Sequence, residues 1–148
     1  MRIKSESTGA QRYDNESNDC TVRALANVLG APYKLAHRIM AAAGRKQNHG
    51  MRFDDWHPVY TRLGLRLVSL HGTTKGARYA SYKLGIRPAA GTTLANLLPS
   101  LQKGRYLLKY SGHVFAVIDG KVLDYGDNPA GTRIQAVYKL DNQAVIFD

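Results

Sequence analysis

The feature that most constrains the fold is one short segment, HVFAVIDGKVLDYGD, which spans residues 113–127. Two runs rich in hydrophobic residues flank an Asp-Gly pair at positions 119 and 120. Asp-Gly in this setting is a strong signal for a two-residue β-hairpin turn, because both turn residues must adopt left-handed backbone conformations. The segment therefore predicts two antiparallel strands whose register is fixed by the turn.

The predicted register places a histidine beside an aspartate. It pairs Ile118 with Lys121 and Phe115 with Asp124. Since side chains alternate between the two faces of a strand, His113 shares a face with Asp124 and is its diagonal neighbour, within side-chain reach. A carboxylate in this position can fix the tautomer of an imidazole and stabilise its protonated form. The other ring nitrogen is then free to accept a proton from a thiol.

The rest of the chain divides into helical and β segments. Hydrophobic residues with helical spacing follow Cys20, and Gly30 ends that helix. After Arg105 the segments are strand-like and separated by short turns, so neighbouring strands must pair antiparallel. This order predicts an α+β fold with N-terminal helices packed on a C-terminal antiparallel sheet. We expect a single domain over residues 1–148. Residues 71–91 have weak periodicity and several glycines, so we expect them to form a long loop.

Charge and composition narrow the function classes. The net charge is +10, and no Asp or Glu occurs between Trp56 and Ile118, so the folded surface should attract acidic partners or nucleic acid.

No apolar run approaches the roughly 18 residues of a membrane span, and the N-terminus lacks the apolar core of a secretory signal. We therefore expect a cytoplasmic protein with no membrane partner. With one cysteine there is no internal disulfide, no Cys/His cluster has zinc spacing, and neither a metal nor another cofactor is expected.

The one cysteine, Cys20, lies where the first helix begins. On a helical wheel the hydrophobic stripe of this helix points nearly opposite to Cys20, which argues against a purely structural, buried thiol. Ser17, Asn18 and Asp19 are all favourable N-caps, so Cys20 falls in the first turn, where N–H groups and the helix dipole stabilise a thiolate. Asp19 opposes this effect, so a nearby cation is needed. Of the five histidines, His113 is the candidate, and the other four are expected to be structural or exposed.

These residues resemble those of a known family. DCTVRALANVLG, residues 19–30, resembles the nucleophile helix of papain-like cysteine peptidases, especially the bacteriocin-processing C39-like branch. GHVFAVIDGKVLDYGD, residues 112–127, resembles the histidine strand and the acidic strand that follows it, and KGRYLLKYSGHVFAVIDG is similar to small bacteriophage proteins. The resemblance implies a papain-like fold with Cys20 as nucleophile, His113 as general base and then general acid, and Asp124 as orienting group. For a phage-encoded chain, the host cell cytoplasm or the virion is the expected location.

The chain departs from that family at the oxyanion hole. Papain-like enzymes usually place a glutamine about six residues before the cysteine, where this chain has Asp14. The nearby amides Gln11, Asn15 and Asn18 are the candidate donors, together with the backbone N–H of Cys20. If none of these groups is correctly placed, the resemblance implies a weak or inactive relative.

Two functions are compatible with these patterns. The first is a thiol hydrolase or acyltransferase that attacks an amide, isopeptide or ester carbonyl of a peptide or protein substrate. The second is a non-catalytic papain-like module whose basic face binds nucleic acid or an acidic host or virion protein. In the segment GARYASYKLGIRP, Arg78, Lys83 and Arg87 are interleaved with Tyr79 and Tyr82, a mixture that suits phosphates and stacked bases.

Overall fold

The computed structural model describes residues 2–3, 16–124 and 128–141. Helices pack with an antiparallel sheet, which confirms the predicted α+β class, although one strand of that sheet, Leu65–Leu70, lies between helices in the chain. In chain order the elements are β1 (Arg2–Ile3), α1 (Cys20–Leu29), α2 (Tyr33–Ala42), α3 (Phe53–Arg62), β2 (Leu65–Leu70), α4 (Lys75–Leu84), β3 (Thr92–Thr93), α5 (Leu94–Leu97), a 3-10 helix (Leu98–Leu101), β4 (Arg105–Tyr110), β5 (His113–Ile118), β6 (Lys121–Leu123), β7 (Asn128–Pro129), β8 (Arg133–Ile134) and β9 (Ala136–Leu140). Within this part of the chain, no helix combines the length and the apolar character that crossing a membrane requires.

A five-stranded sheet forms the centre of the structure. Its strand order is β2-β9-β4-β5-β6, and each pair of neighbours runs antiparallel. The β5–β6 hairpin has the predicted register, with Ile118 opposite Lys121. Asp119 and Gly120 have φ values of 50° and 81°, and positive φ at both positions is what this two-residue turn requires. Two short antiparallel ribbons, β1 with β7 and β3 with β8, lie outside this sheet.

Hydrophobic clusters cover both faces of the sheet. The first cluster packs α1, α2 and α3 against one face and includes Val114 and Ala116 of β5. The second lies on the opposite face and includes Phe115 and Val117, with side chains from α5 and the 3-10 helix. Strand β5 is therefore buried on both faces along its middle, and its side chains alternate between the two clusters.

Helix α1 is buried on nearly every side because it packs on β5, β4 and α2. Only Cys20 and Arg23 of this helix are half-buried, and its other residues are buried. The helix ends at Gly30, whose φ of 65° lies in the left-handed region that glycine adopts without strain. Cys20 is half-buried at the N-terminal end of the helix, and it packs against the first cluster.

The prediction of a long loop over residues 71–91 is wrong, because this segment contains the ten-residue helix α4. The Thr74 side chain caps the helix by accepting a hydrogen bond from the backbone N–H of Ala77, and Gly85 ends it with a φ of 66°. The buried face of α4 consists of Ala77 and Ala80. This face is narrow, and the glycines at positions 72, 76 and 85 favoured a loop, which is why the pattern did not indicate a helix.

Candidate active site

Cys20 is the first residue of α1, as the sequence predicts. Its N-cap, Asp19, makes no side-chain cap, and the backbone carbonyl of Asp19 accepts hydrogen bonds of 3.0 Å from two N–H groups of the first turn. The thiol is half-buried against the helical side of the core. It lines one cleft with His113 and Val114, and the ring of His113 and the backbone N–H of Val114 lie close enough to the thiol to lower its pKa. The structure thus joins the start of α1 to the start of β5.

His113 and Asp124 meet as the hairpin register predicts. Nε2 of His113 lies 2.6 Å from Oδ2 of Asp124, whose side chain is 6% exposed. Because the carboxylate occupies Nε2, Nδ1 is the ring nitrogen that remains for the thiol of Cys20. The rings of Tyr110 and Phe115 pack against the imidazole, with centroid distances of 5.2 and 5.8 Å, and restrict its orientation.

The three groups shift one another toward an ion pair. Burial opposes the charged form of His113, but the hydrogen bonds with Asp124 and Cys20 outweigh it and raise the pKa of His113 to about 9. Burial also acts to raise the pKa of Cys20, yet the hydrogen bonds from His113 and from the Val114 N–H, with the nearby positive charges, hold that pKa below its ordinary value. A thiolate facing an imidazolium is the reactive form of a nucleophilic cysteine.

Asp19, which we expected to oppose a thiolate, is engaged by two partners. This residue is fully buried, and its Oδ1 accepts a hydrogen bond of 3.0 Å from Nε of Arg23 while its Oδ2 accepts one of 2.8 Å from the hydroxyl of Tyr33. Arg23 also donates from Nη1 to Oδ1 of Asp124 at 3.2 Å. One guanidinium therefore bridges the carboxylate beside the cysteine and the carboxylate beside the histidine. The i,i+4 spacing of Asp19 and Arg23 was the signal for the first of these contacts.

Asn128 completes the described surroundings of Asp124. Its Nδ2 donates to Oδ2 of Asp124 at 3.1 Å, and its Oδ1 accepts a hydrogen bond of 3.0 Å from the hydroxyl of Tyr110. The residue is 2% exposed. Asp124 is thus oriented by an imidazole, a guanidinium and an amide, and the amide lies beyond the hairpin, where no sequence pattern indicated it.

A cleft of about 240 Å³ opens at the thiol. Its walls come from the segment before α3, from α3 itself and from the β4–β5 hairpin, and most of the side chains are apolar or aromatic. The residues that line it are Cys20, Thr21, Gly50, Met51, Phe53, Trp56, Lys109, Gly112, His113 and Val114. Among the described residues, no carboxylate lines this cleft, and Lys109 is the ammonium in it.

The structure does not bring Asn18 into the cleft. This residue is exposed, with a φ of 51°, and its Nδ2 donates to the backbone carbonyl of Asn48 at 3.0 Å. Gln11 and Asn15, the other two amide candidates, lie outside the described residues. The backbone N–H of Cys20 is the first of its helix and has no acceptor within the helix, so it is a candidate donor to an oxyanion at the thiol.

The basic residues singled out in the sequence lie apart from the cleft lining. Arg78 and Lys83 are exposed on α4, and Arg87 is exposed just after it. Nζ of Lys83 lies 3.9 Å from a carboxylate oxygen of Asp54. In the described ranges no three His, Cys, Asp or Glu side chains are grouped as a metal site would require.

Lys109 is a charged residue of the cleft that no sequence pattern placed there. It lies opposite Val114 in the β4–β5 pairing, and its Nζ donates a hydrogen bond to Oε1 of Gln135. The signal was present, because the two-residue connection before His113 sets this register and brings Lys109 beside the strand that bears the histidine.

The fold and the site together define an α+β protein in which a cysteine at a helix start, a histidine and an aspartate meet at a cleft. No family model, no curated protein and no solved structure matches the chain. A functional assignment therefore depends on the geometry of the site.

Proposed function

We propose that the protein is a cysteine peptidase-like thiol hydrolase or acyltransferase of papain-like, C39-like fold that acts on an amide or isopeptide bond. The observation that supports this most is that Cys20 and His113 line one cleft while the second ring nitrogen of His113 lies 2.6 Å from the carboxylate of Asp124. A buried structural cysteine has no need of an imidazole whose second nitrogen is held by a carboxylate.

In the proposed first step, the thiolate of Cys20 attacks the carbonyl carbon and a sulfur–carbon bond forms. His113 then donates its Nδ1 proton to the departing nitrogen as the carbon–nitrogen bond breaks, which leaves a thioester and a free amine. Asp124 keeps the imidazole in the required tautomer and stabilises its protonated form, while the backbone N–H of Cys20 is placed to donate to the oxyanion.

In the second step, water or an acceptor amine attacks the thioester carbonyl. His113, now neutral, takes the proton of the attacking group, and the carbon–sulfur bond breaks as the thiol is restored. Attack by water gives hydrolysis, and attack by an amine gives acyl transfer.

An unbiased peptide library tests the proposal. We expect the wild-type protein to cleave a subset of peptides, with products read by mass spectrometry, and both Cys20→Ala and His113→Ala to lose at least about 1000-fold in rate. His49→Ala provides the matched control, since His49 is an exposed histidine outside the cleft. Cleavage that persists in Cys20→Ala, or its complete absence in the wild type together with slow alkylation of Cys20 below pH 8.5, would count against the proposal.

The second candidate function is binding of single-stranded nucleic acid by the outer face of α4. Tyr82 is 83% exposed and Tyr79 43% exposed, and both lie among the exposed cations Lys75, Arg78 and Lys83. Exposed aromatic rings between cations offer stacking surfaces and phosphate contacts together.

Affinity for a single-stranded oligonucleotide, measured against salt concentration, tests this second function. Phosphate contacts predict that affinity falls with rising salt, and Tyr82→Ala should weaken binding without a change in the salt slope. A slope near zero rules out binding through phosphates, and binding of an acidic peptide with equal affinity would identify a general polyanion surface instead.

A further inference from the structure

Lys109 is the unusual group of the cleft. Its ammonium is half-buried on the wall that also bears His113, and its partner is the neutral oxygen of Gln135 rather than a carboxylate. Burial lowers the pKa of Lys109, and the thiolate of Cys20 counteracts that effect. An ammonium has three N–H donors, and a desolvated cation is costly unless negative or polar groups satisfy it.

The position of Lys109 follows from the sheet register. Lys109 pairs with Val114, so the two side chains lie side by side on the face of the sheet that α1 covers. Val114, Lys109 and Cys20 all line the same cleft. The ammonium therefore belongs to the immediate surroundings of the reacting atom.

The position of Gln135 fixes that ammonium. Gln135 is 4% exposed, its Oε1 accepts the hydrogen bond from Nζ, and its Nε2 donates to Oγ1 of Thr74 at 3.0 Å. A β-carbon at position 76 would lie 2.7 Å from Oε1 of Gln135, so the glycine there leaves the space that the amide occupies. The oxygen and the nitrogen of the Gln135 side-chain amide are thus both hydrogen-bonded. The amide is held in place, and its hydrogen bond holds the Lys109 ammonium in turn.

We propose that Lys109 binds a carboxylate of the substrate beside the bond that is attacked, so that the cleft selects an acidic residue there. The lining supports this choice, because the described residues supply two cations, Lys109 and His113, and no carboxylate. The apolar walls at Met51, Phe53 and Trp56 exclude water from such an ion pair and strengthen it. This inference names the substrate class of the proposed hydrolase and so rests on that function.

Two small alkylating reagents test the anion site without requiring turnover. Iodoacetate carries a carboxylate next to its reacting carbon and iodoacetamide carries a neutral amide, and in both the thiolate of Cys20 forms a sulfur–carbon bond while iodide leaves. The ratio of the two rate constants cancels any change in thiolate population. We expect Lys109→Met to lower the iodoacetate-to-iodoacetamide ratio by about tenfold. Lys109→Arg should retain most of the ratio, and Lys103→Met, at an exposed lysine, should leave it unchanged.

Paired peptides that differ only by Asp against Asn beside the cleaved bond complete the experiment. We expect the wild type to prefer Asp and Lys109→Met to lose the preference through a raised KM, with circular dichroism and thermal unfolding confirming that the variant folds. An unchanged alkylation ratio in Lys109→Met overturns the inference. An equal loss of kcat on both peptides also overturns it, because that result is expected if Lys109 donates to the oxyanion. In both cases the proposed hydrolase stands. If no peptide is cleaved but the ratio depends on Lys109, the anion site stands and the proposed function fails.

Discussion

Replacing Asp124 by asparagine should lower the pKa of His113 and, with it, the thiolate population of Cys20. The substitution keeps the shape of the side chain and removes the charge that lies 2.6 Å from Nε2 of the imidazole. The pKa of about 9 lies roughly 2.5 pH units above 6.5, which corresponds to about 3 kcal/mol in favour of the imidazolium.

The expected size of the change follows from the opposing influences on His113. Burial is the largest of these influences, and it lowers the pKa of His113. The hydrogen bonds and charges of Asp124 and Cys20 must therefore raise that pKa by more than the net change from 6.5 to about 9. An opposite charge at this distance changes a pKa by about one to three pH units. We therefore expect the His113 pKa to fall to between about 6 and 8 in Asp124→Asn.

Nuclear magnetic resonance measures the change directly through the imidazole Cε1–H signal of His113 between pH 5 and pH 10. The rate of iodoacetamide labelling of Cys20 at pH 7 provides a second readout, and it should fall with the loss of thiolate. Asp55→Asn is the matched control, because Asp55 is exposed on α3 and is not part of the cleft. A midpoint for Asp124→Asn within about 0.5 pH units of the wild type would refute the reasoning, since the carboxylate would then not stabilise the imidazolium.

Three further predictions concern the framework around the site. Arg45→Ala should lower the free energy of unfolding by about 3–5 kcal/mol at pH 7, because it leaves the buried carboxylate of Glu16 without its guanidinium. Arg45 holds the pKa of Glu16 well below its ordinary value of 4.5, so this stabilisation is full above about pH 4.5 and declines as the pH falls, and urea titrations at pH 7 and pH 3 should show the difference shrinking. Gly120→Ala should cost about 1 kcal/mol in the same assay, since a φ of 81° strains any residue with a β-carbon. Arg23→Met should destabilise the fold by about 3 kcal/mol and slow alkylation of Cys20 at pH 7, whereas Arg62→Met, at an exposed arginine, should change neither measurement.

Local signals predicted those parts of the site that lie close together in the chain. The Asp-Gly turn fixed the register that brings His113 to Asp124, and the polar residues before Cys20 indicated a helix start. The contact between Cys20 and His113 is different, because it depends on α1 packing against β5 rather than against another strand. Periodicity identifies the apolar face of a helix but not the surface that covers it, so the pairing of Cys20 with His113 was inferred from the chemistry of the two side chains and from the resemblance to a family.

The parts that the sequence did not reveal involve side chains with weak or ambiguous patterns. Helix α4 escaped prediction because its buried face is only two alanines wide and because the glycines at 72, 76 and 85 indicated a loop, although the Thr74 cap and Gly85 were available as boundary signals. Arg23 could be placed on the cysteine's side of α1, but its second contact, with Asp124, joins residues from distant parts of the chain. A charged side chain that bridges two carboxylates has no periodic signature.

The absence of a β-carbon at Gly76 lets the Gln135 side chain connect the start of α4 with the thiol cleft. Because Thr74, Gln135 and Lys109 form one chain of contacts, the first turn of this helix cannot shift outward without drawing the amide, and then the ammonium, along with it. A side chain at position 76 would have to displace the amide of Gln135, and with it the hydrogen-bond acceptor of the Lys109 ammonium in the cleft.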